Sequence, residues 1–287
     1  MADKHFSDAA VFPIGELSQR TGVNSITLRA WERRYALLKP ARTAKGHRLY
    51  TAEDVERVMR VLTLIERGVP LRKLHPLLDS DEPLPSPGQD QDALELQSQL
   101  LAELEQFSVD GLAGILQELF KQYPASWCRQ QVLLPLFARL ASHVSASALE
   151  GLLQAGLIRY ALRYWSQGAG KKRQGLLVVG GVRTASWRTL LLALELQEKQ
   201  QAVLWLPGEF SLTGLRQMLM LKPQQQLLYC LDGVLSAGQE QQLRGVLLAN
   251  QQLWLQGTAV ELAFAGHERV LGESQAGLSM IAATGPE

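Results

Sequence analysis

The sequence predicts a multidomain chain: an all-α basic module with a short hairpin, then a four-helix bundle, then an α/β doubly wound parallel sheet. Three observations predict it. Residues 1–78 carry 14 Lys/Arg against 8 Asp/Glu, whereas residues 93–287 carry 15 of each, so a formal net charge of +1 conceals one cationic module. Leucines recur at i, i+3 and i+4 through residues 93–167, the period of amphipathic helices. From Gly175 onward, short continuous apolar runs alternate with amphipathic stretches, as when strands buried on both faces alternate with covering helices.

The stretch "FPIGELSQRTGVNSITLRAWERRYALLKP" predicts a short helix over Ile14–Arg20, a turn containing Gly22, and a second helix capped by Asn24 or Ser25. At about 100° per residue, Leu28, Trp31 and Tyr35 share an inward face, and Ser25, Ile26, Arg29, Ala30 and Arg33 share the opposite one. Small, hydroxylated and cationic side chains on an outward face suit a helix lying in a DNA major groove, where arginine forks onto phosphate or onto a guanine edge. "PARTAKGHRLYT" then sets Arg42, Lys45 and Arg48 around a Gly46 turn, a hairpin whose tip would reach phosphates or an adjacent minor groove. Thr51-x-x-Asp54 has the form of a capping box with Asp in the Glu/Gln position, opening the next helix. Seven Lys/Arg lie between Arg29 and Arg48 against one acid, Glu32. An unpatterned run of that kind would be a solvated surface. Here the aromatics fall inward and the cations outward, which favours a binding face.

These segments carry a family resemblance. "IGELSQRTGV", "TLRAWERRYALLKPART", "GHRLYTAEDVERV" and "ERGVPLRKLHPLL" resemble, in order, the winged helix-turn-helix domain of the MerR family of bacterial transcription regulators, over residues 12–78. The forms "TLRAWERRY" and "GHRLY" are similar to the branch of curli and biofilm regulators and light-sensing, cobalamin-binding regulators. The resemblance implies a recognition helix bearing Arg29, Arg33 and Arg34 and a wing bearing Arg42, Lys45, His47, Arg48 and Tyr50. With Ser25, Ile26 and Thr27 at the start of the helix, these are the expected DNA-contacting residues. It also implies a dimer at promoter double-stranded DNA, acting with RNA polymerase there. The helix after Val69 reaches only about Leu78, too short for the dimer coiled coil of many members, so self-association is expected from residues 93–287.

"DSDEPLPSPGQDQD", residues 79–92, combines Pro, Gly, Ser and acids with little to bury and reads as a linker. Helices are predicted over 93–106, 110–122, 128–142 and 145–166, making residues 93–167 a helical bundle. Residues 168–287 form the α/β domain. Its strands are "GLLVVGG" (175–181), "AVLWLP" (202–207), "QLLYCLD" (226–232) and "LWLQG" (253–257), with "LSMIAA" (278–283) as a possible last one. Helices fall at 186–200, 211–221 and 236–250.

Bundle followed by doubly wound sheet resembles the layout of cobalamin-binding domains, but the family's Asp-x-His-x-x-Gly is missing. The corresponding loop, "GGVRTASWRTLL" (180–191), has neither Asp nor His. No cofactor is therefore expected, and cobalamin would have to be held without a histidine ligand. Alternatives remain: a nucleotide, a corrinoid or another small molecule beyond the strand C-termini near Arg183, Ser186, Trp187 and Gly208, or a pure oligomerisation module. Asp232 ends the third strand, but the acidic pair that a phosphorylated receiver would need is replaced by Gly180-Gly181. Cys128 and Cys230 read as buried thiols, and the five histidines show no metal-ligand spacing. No catalytic set emerges, so no enzyme is expected. With a polar N-terminus and no membrane-spanning run, a cytoplasmic location is expected.

Overall fold

The computed structural model describes residues 11–79, 90–167, 175–199 and 201–272. These divide into two compact units, Met1–Gly156 and Leu157–Glu287. The predicted strand at 278–283 lies outside the described residues, as does most of the predicted linker.

In the first unit, α1 (Ile14–Thr21) stops at Gly22, whose φ of 69° is the left-handed turn that glycine adopts without penalty. The next helix, α2 (Ser25–Tyr35), starts at Asn24, whose side chain accepts from the N–H groups of Ile26 (2.9 Å) and Thr27 (2.8 Å). Strands β1 (Ala41–Arg42) and β2 (Arg48–Leu49) pair antiparallel around Gly46, where φ is 81°. Thr51 and Asp54 form the reciprocal capping box that opens α3 (Ala52–Glu66). A 3-10 turn at Leu71–Lys73 leads into α4 (Leu74–Leu78). Leu17, Leu28, Trp31, Val58 and Leu64 are buried where these helices meet.

Helices α5 (Gln91–Glu105), α6 (Val109–Gln122), α7 (Ala125–Trp127), α8 (Leu134–Ala141) and α9 (Ala146–Gln167) follow, and α9 passes from the first unit into the second after Gly156. Where the periodicity predicts one helix over 128–142, the chain runs from α7 to α8 through a π turn at Cys128–Leu133. Pro135 has no N–H to offer the Gln131 carbonyl four residues back, and that carbonyl instead accepts from Gln97 Nε2 at 2.7 Å.

Side-chain contacts within this one unit join the helix-turn-helix region to the helices that follow. Trp31 Nε1 donates to the Gln122 carbonyl (2.8 Å), and Trp127 Nε1 donates to that of Ile65 (3.3 Å). Tyr123 stacks on Trp127 with ring centroids 3.8 Å apart. Asp92, at the end of the segment read as a linker, accepts from Tyr123 Oη (2.8 Å) and the Leu71 N–H (3.2 Å) and pairs with Arg72 (3.1 Å). Ala30 also departs from its expected outward position. The helical wheel sets it outward, yet it is 0% exposed, and α6 packs against α2.

The second unit holds a five-stranded parallel sheet in the order β4-β3-β5-β6-β7. Its elements are β3 (Leu176–Gly181), α10 (Ser186–Glu198), β4 (Val203–Phe210), α11 (Leu212–Leu221), β5 (Leu227–Cys230), α12 (Ala237–Ala249), β6 (Leu253–Gln256), α13 (Thr258–Ala263) and β7 (Val270–Leu271). Leu177, Val179, Tyr229 and Leu255 pack with Leu215 of α11 and Leu243 and Leu247 of α12. On the other face, Trp205 of β4 donates to Thr189 of α10 (2.9 Å). Strand β4 runs three residues beyond its predicted end at Pro207. It is an edge strand with a register shift opposite Val179/Gly180, a setting in which Pro and a bulge are tolerated.

Candidate nucleic-acid interface

The capped α2 presents Ile26, Arg29 and Arg33 to solvent, with Ser25 half-buried. Arg29 has no ion-pair partner among the described residues, and Arg33 Nε makes only a 3.4 Å contact to the Arg29 carbonyl on its own helix. Lys45 and His47 are exposed at the hairpin. These side chains are free to meet an anion.

Other expected contacts are differently engaged. Glu32 is 13% exposed and takes both hairpin arginines, Arg48 Nε at 2.5 Å and Arg42 Nη2 at 3.0 Å. Its carboxylate pushes the Arg48 guanidinium pKa up and ties the hairpin to α2. Arg34, on the opposite flank, pairs with Glu118 of α6 at 2.7 Å. Glu118 also accepts from Lys121 Nζ at 2.9 Å, and the bonds from Lys121 and Arg34 hold its carboxyl below the usual range. Tyr35 Oη bonds the Gln122 side chain beside them.

Thr27 and Tyr50 are both 0% exposed, so neither hydroxyl is offered to a ligand in this conformation. Thr27 lies on the inner side of α2, and Tyr50 sits in a two-bond backbone bridge with Phe12 that turns its ring into the core. Its phenol pKa is pushed up to about 12 by burial. The wheel places faces about the helix axis, but it does not see α6 or the acids that answer the cations. Glu118, Lys121 and Gln122 read as ordinary surface positions of an amphipathic helix, and only Glu32, the lone acid in the cationic stretch, carried a signal.

In the second unit a cavity of about 320 Å³ opens at the C-terminal ends of β3 and β5, where strand order reverses. Arg183, Ser211, Tyr229, Asp232 and Gln242 line it. Arg183 adopts a φ of 70°, and its N–H donates to Glu209 at 3.0 Å. Thr184 joins the loop after β3 to the end of β5, donating to the Cys230 carbonyl (3.0 Å) and accepting from the Asp232 N–H (3.1 Å). Ser186 and Trp187, expected beside Arg183, do not line this cavity. Ser186 Oγ accepts from the Gly208 N–H at 3.3 Å, and the Arg188 guanidinium lies 5.0 Å from the Trp187 ring centre. Residues 182–185 are Val-Arg-Thr-Ala, so this loop has no imidazole for cobalt and does not fit a histidine-ligated corrinoid. Among the described residues no cluster of His, Cys, Asp and Glu could hold a metal ion, and no helix is long and apolar enough to cross a membrane.

A turn-linked helix pair with outward cations and an adjoining hairpin defines a helix-turn-helix protein. The MerR HTH family regulatory protein profile matches residues 12–81. The HTH-type transcriptional regulator MlrA of Salmonella typhimurium is 36% identical over 172 residues, covering 60% of this chain and 69% of the relative. MlrA of Escherichia coli is 34% identical over 173 residues, with the same coverage of 60% and 69%. The HTH-type transcriptional repressor CarH of Myxococcus xanthus is 26% identical over 147 residues, covering 48% of this chain and 49% of the relative. This chain belongs to the MerR family of transcription regulators.

Proposed function

We propose that the protein binds promoter double-stranded DNA sequence-specifically as a homodimer. In this reading residues 1–78 are the winged helix-turn-helix module, with β1 and β2 as the wing, and residues 79–92 link it in sequence to a bundle at 93–167. Residues 168–287 are a degenerate cobalamin-binding-like domain serving assembly or signal response, without cofactor. DNA bent by the bound dimer would then alter access for RNA polymerase. The observation that carries the reading is the exposure of Ile26, Arg29 and Arg33 along one face of a helix whose adjoining hairpin offers Lys45 and His47. Arg29→Ala in the full chain is expected to weaken binding to its operator and lower the log–log salt slope by about one unit. Anisotropy titrations across salt concentrations test this, and an unchanged affinity and slope in the folded variant would remove Arg29 from the interface.

The second reading is a small-molecule sensor, favoured by the cavity at the reversal of strand order, the usual ligand position in doubly wound sheets. Arg183 and Asp232 beside the apolar Leu212, Leu231 and Leu235 suit a small molecule with both polar and apolar faces, nucleotide-like or otherwise. A corrinoid would have to be held there by such contacts alone.

A further inference from the structure

We propose that Glu118, on bundle helix α6, holds Arg34 and Lys121 away from DNA and so limits the number of phosphate contacts the helix-turn-helix makes. The proposal rests on the DNA-binding reading above. The exposed face of α2 has a shoulder on either side. One is the hairpin, tied by Glu32 to Arg42 and Arg48. The other is α6, fixed beside the last turn of α2 by the bond from the fully buried Trp31 to the Gln122 carbonyl and by that between Tyr35 and Gln122. These contacts do not involve Arg34, so α6 keeps its place whatever Arg34 does.

On that second shoulder one carboxylate serves two cations. Glu118 Oε2 lies 2.7 Å from Arg34 Nη1, and Oε1 lies 2.9 Å from Lys121 Nζ. Gln122 Nε2 adds a longer contact at 3.4 Å. The arginine and glutamate side chains are each 42% exposed, so solvent and a phosphate oxygen can reach the pair. Arg34 directly follows Arg33, whose side chain is exposed on the presented face. Arg34 lies about 100° around α2 from Arg33, so the cluster borders the presented face and meets a phosphate only at its edge. Phosphate matches a guanidinium with the same forked geometry as a carboxylate, so it competes for the same donors. Glu118 opposes that exchange twice, by occupying Arg34 and Lys121 and by placing a negative charge near the DNA backbone. Trp31 supplies a permanent contact between α2 and α6, and Arg34 an exchangeable one.

The test uses the full chain and a fluorescent random-sequence duplex of about 30 base pairs, titrated between roughly 50 and 200 mM salt. Glu118→Gln is expected to bind roughly three- to tenfold more tightly and to steepen the log–log salt slope by about 0.9 to 1.8, the increment for one or two added phosphate contacts. Glu118→Asp keeps the charge and should behave as the unsubstituted protein, with thermal melts verifying that both variants fold. In an Arg34→Ala/Lys121→Ala background, Glu118→Gln should change affinity by less than about twofold, because no held cation remains to be released. An unchanged affinity and slope in Glu118→Gln would overturn the proposal. So would a gain that persists in the doubly substituted background, which would be a general charge effect. If the unsubstituted protein binds no duplex at all, the DNA-binding reading falls and this one with it. If it binds while Glu118→Gln is silent, only this one falls.

Discussion

Glu32→Gln sets two physical effects against each other and so tests what the hairpin arginines do. The substitution removes one negative charge from the interface, and if charge count alone governed binding, affinity would rise. The geometry argues the reverse. Glu32 is 13% exposed and accepts from Arg48, which is 24% exposed, and from Arg42, which is 51% exposed. A charge-assisted hydrogen bond in a mostly buried setting contributes about 1.5–3 kcal/mol, and a largely exposed ion pair about 0–1 kcal/mol. Glutamine keeps one acceptor but turns an amide donor toward the other guanidinium, so the expected loss is about 2 kcal/mol of hairpin stability. That corresponds to ~30-fold faster opening. Amide exchange should register it at Thr43, whose N–H donates to His47 O at 2.9 Å, and at Gly46, whose N–H donates to Thr43 O at 2.8 Å. Protection along β3, β5 and β6 should stay unchanged. Duplex affinity should fall roughly three- to tenfold, because ordering the hairpin again on binding outweighs the loss of one repelling negative charge. Unchanged exchange at Thr43 and Gly46 together with tighter binding would refute the argument and make Glu32 a simple electrostatic brake.

Trp31→Phe keeps most of the buried ring but loses the bond to the Gln122 carbonyl, leaving that acceptor unmet; it should destabilise the first unit by about 1–3 kcal/mol in urea melts. Alkali should also destabilise the chain, because burial pushes the phenols of Tyr50 and Tyr229 up to about 12 from 10.0. A folded pKa above the unfolded one gives stability that is complete below pH about 10 and is lost as pH rises toward about 12, on the order of 2 kcal/mol per tyrosine. Denaturation midpoints followed from pH about 8 to 12 check this, and a flat profile for the unsubstituted protein beside a sloping one for Tyr50→Phe would reverse the assignment.

Much of this architecture was written in local chemistry. Asn24 before a helical period, Gly22 at a left-handed turn and Thr51-x-x-Asp54 each specify a boundary through bonds within a few residues, and each boundary falls where those bonds put it. Continuous apolar runs marked β3, β5 and β6 because a strand covered on both faces has no polar side to display. What escaped the sequence depends on partners distant in the chain. Ala30 and Thr27 are buried in α2, and α6, more than 80 residues on, packs against that helix. Asp92 belongs to a stretch that composition marks as solvated, yet its carboxylate meets Tyr123, Leu71 and Arg72. The π turn is legible only once Pro135 is seen to deprive Gln131 of its donor. The cavity beside Arg183 arises where three loops converge, and no single stretch encodes it.

The same distinction governs how the cationic stretch should be read. Its cations suggest a dense phosphate-binding surface, but charge in a sequence is a supply, and the fold decides how much of it reaches a ligand. Glu32 lies within the stretch and Glu118 far outside it, and between them they engage Arg42, Arg48 and Arg34. Arg29, Arg33 and Lys45 remain as exposed cations of α2 and the hairpin without an ion-pair partner among the described residues. The hairpin arginines are not lost to function, because Arg42 and Arg48 fix the hairpin beside α2 through Glu32, and a helix entering a groove needs its shoulders held at a set distance. Positioning by one set of arginines and contact by another is therefore how a short cationic segment can combine a rigid docking face with a moderate electrostatic footprint. It also explains why Glu32 carries more structural weight than any one of the cations around it: it is the acid through which the hairpin and α2 share a single geometry.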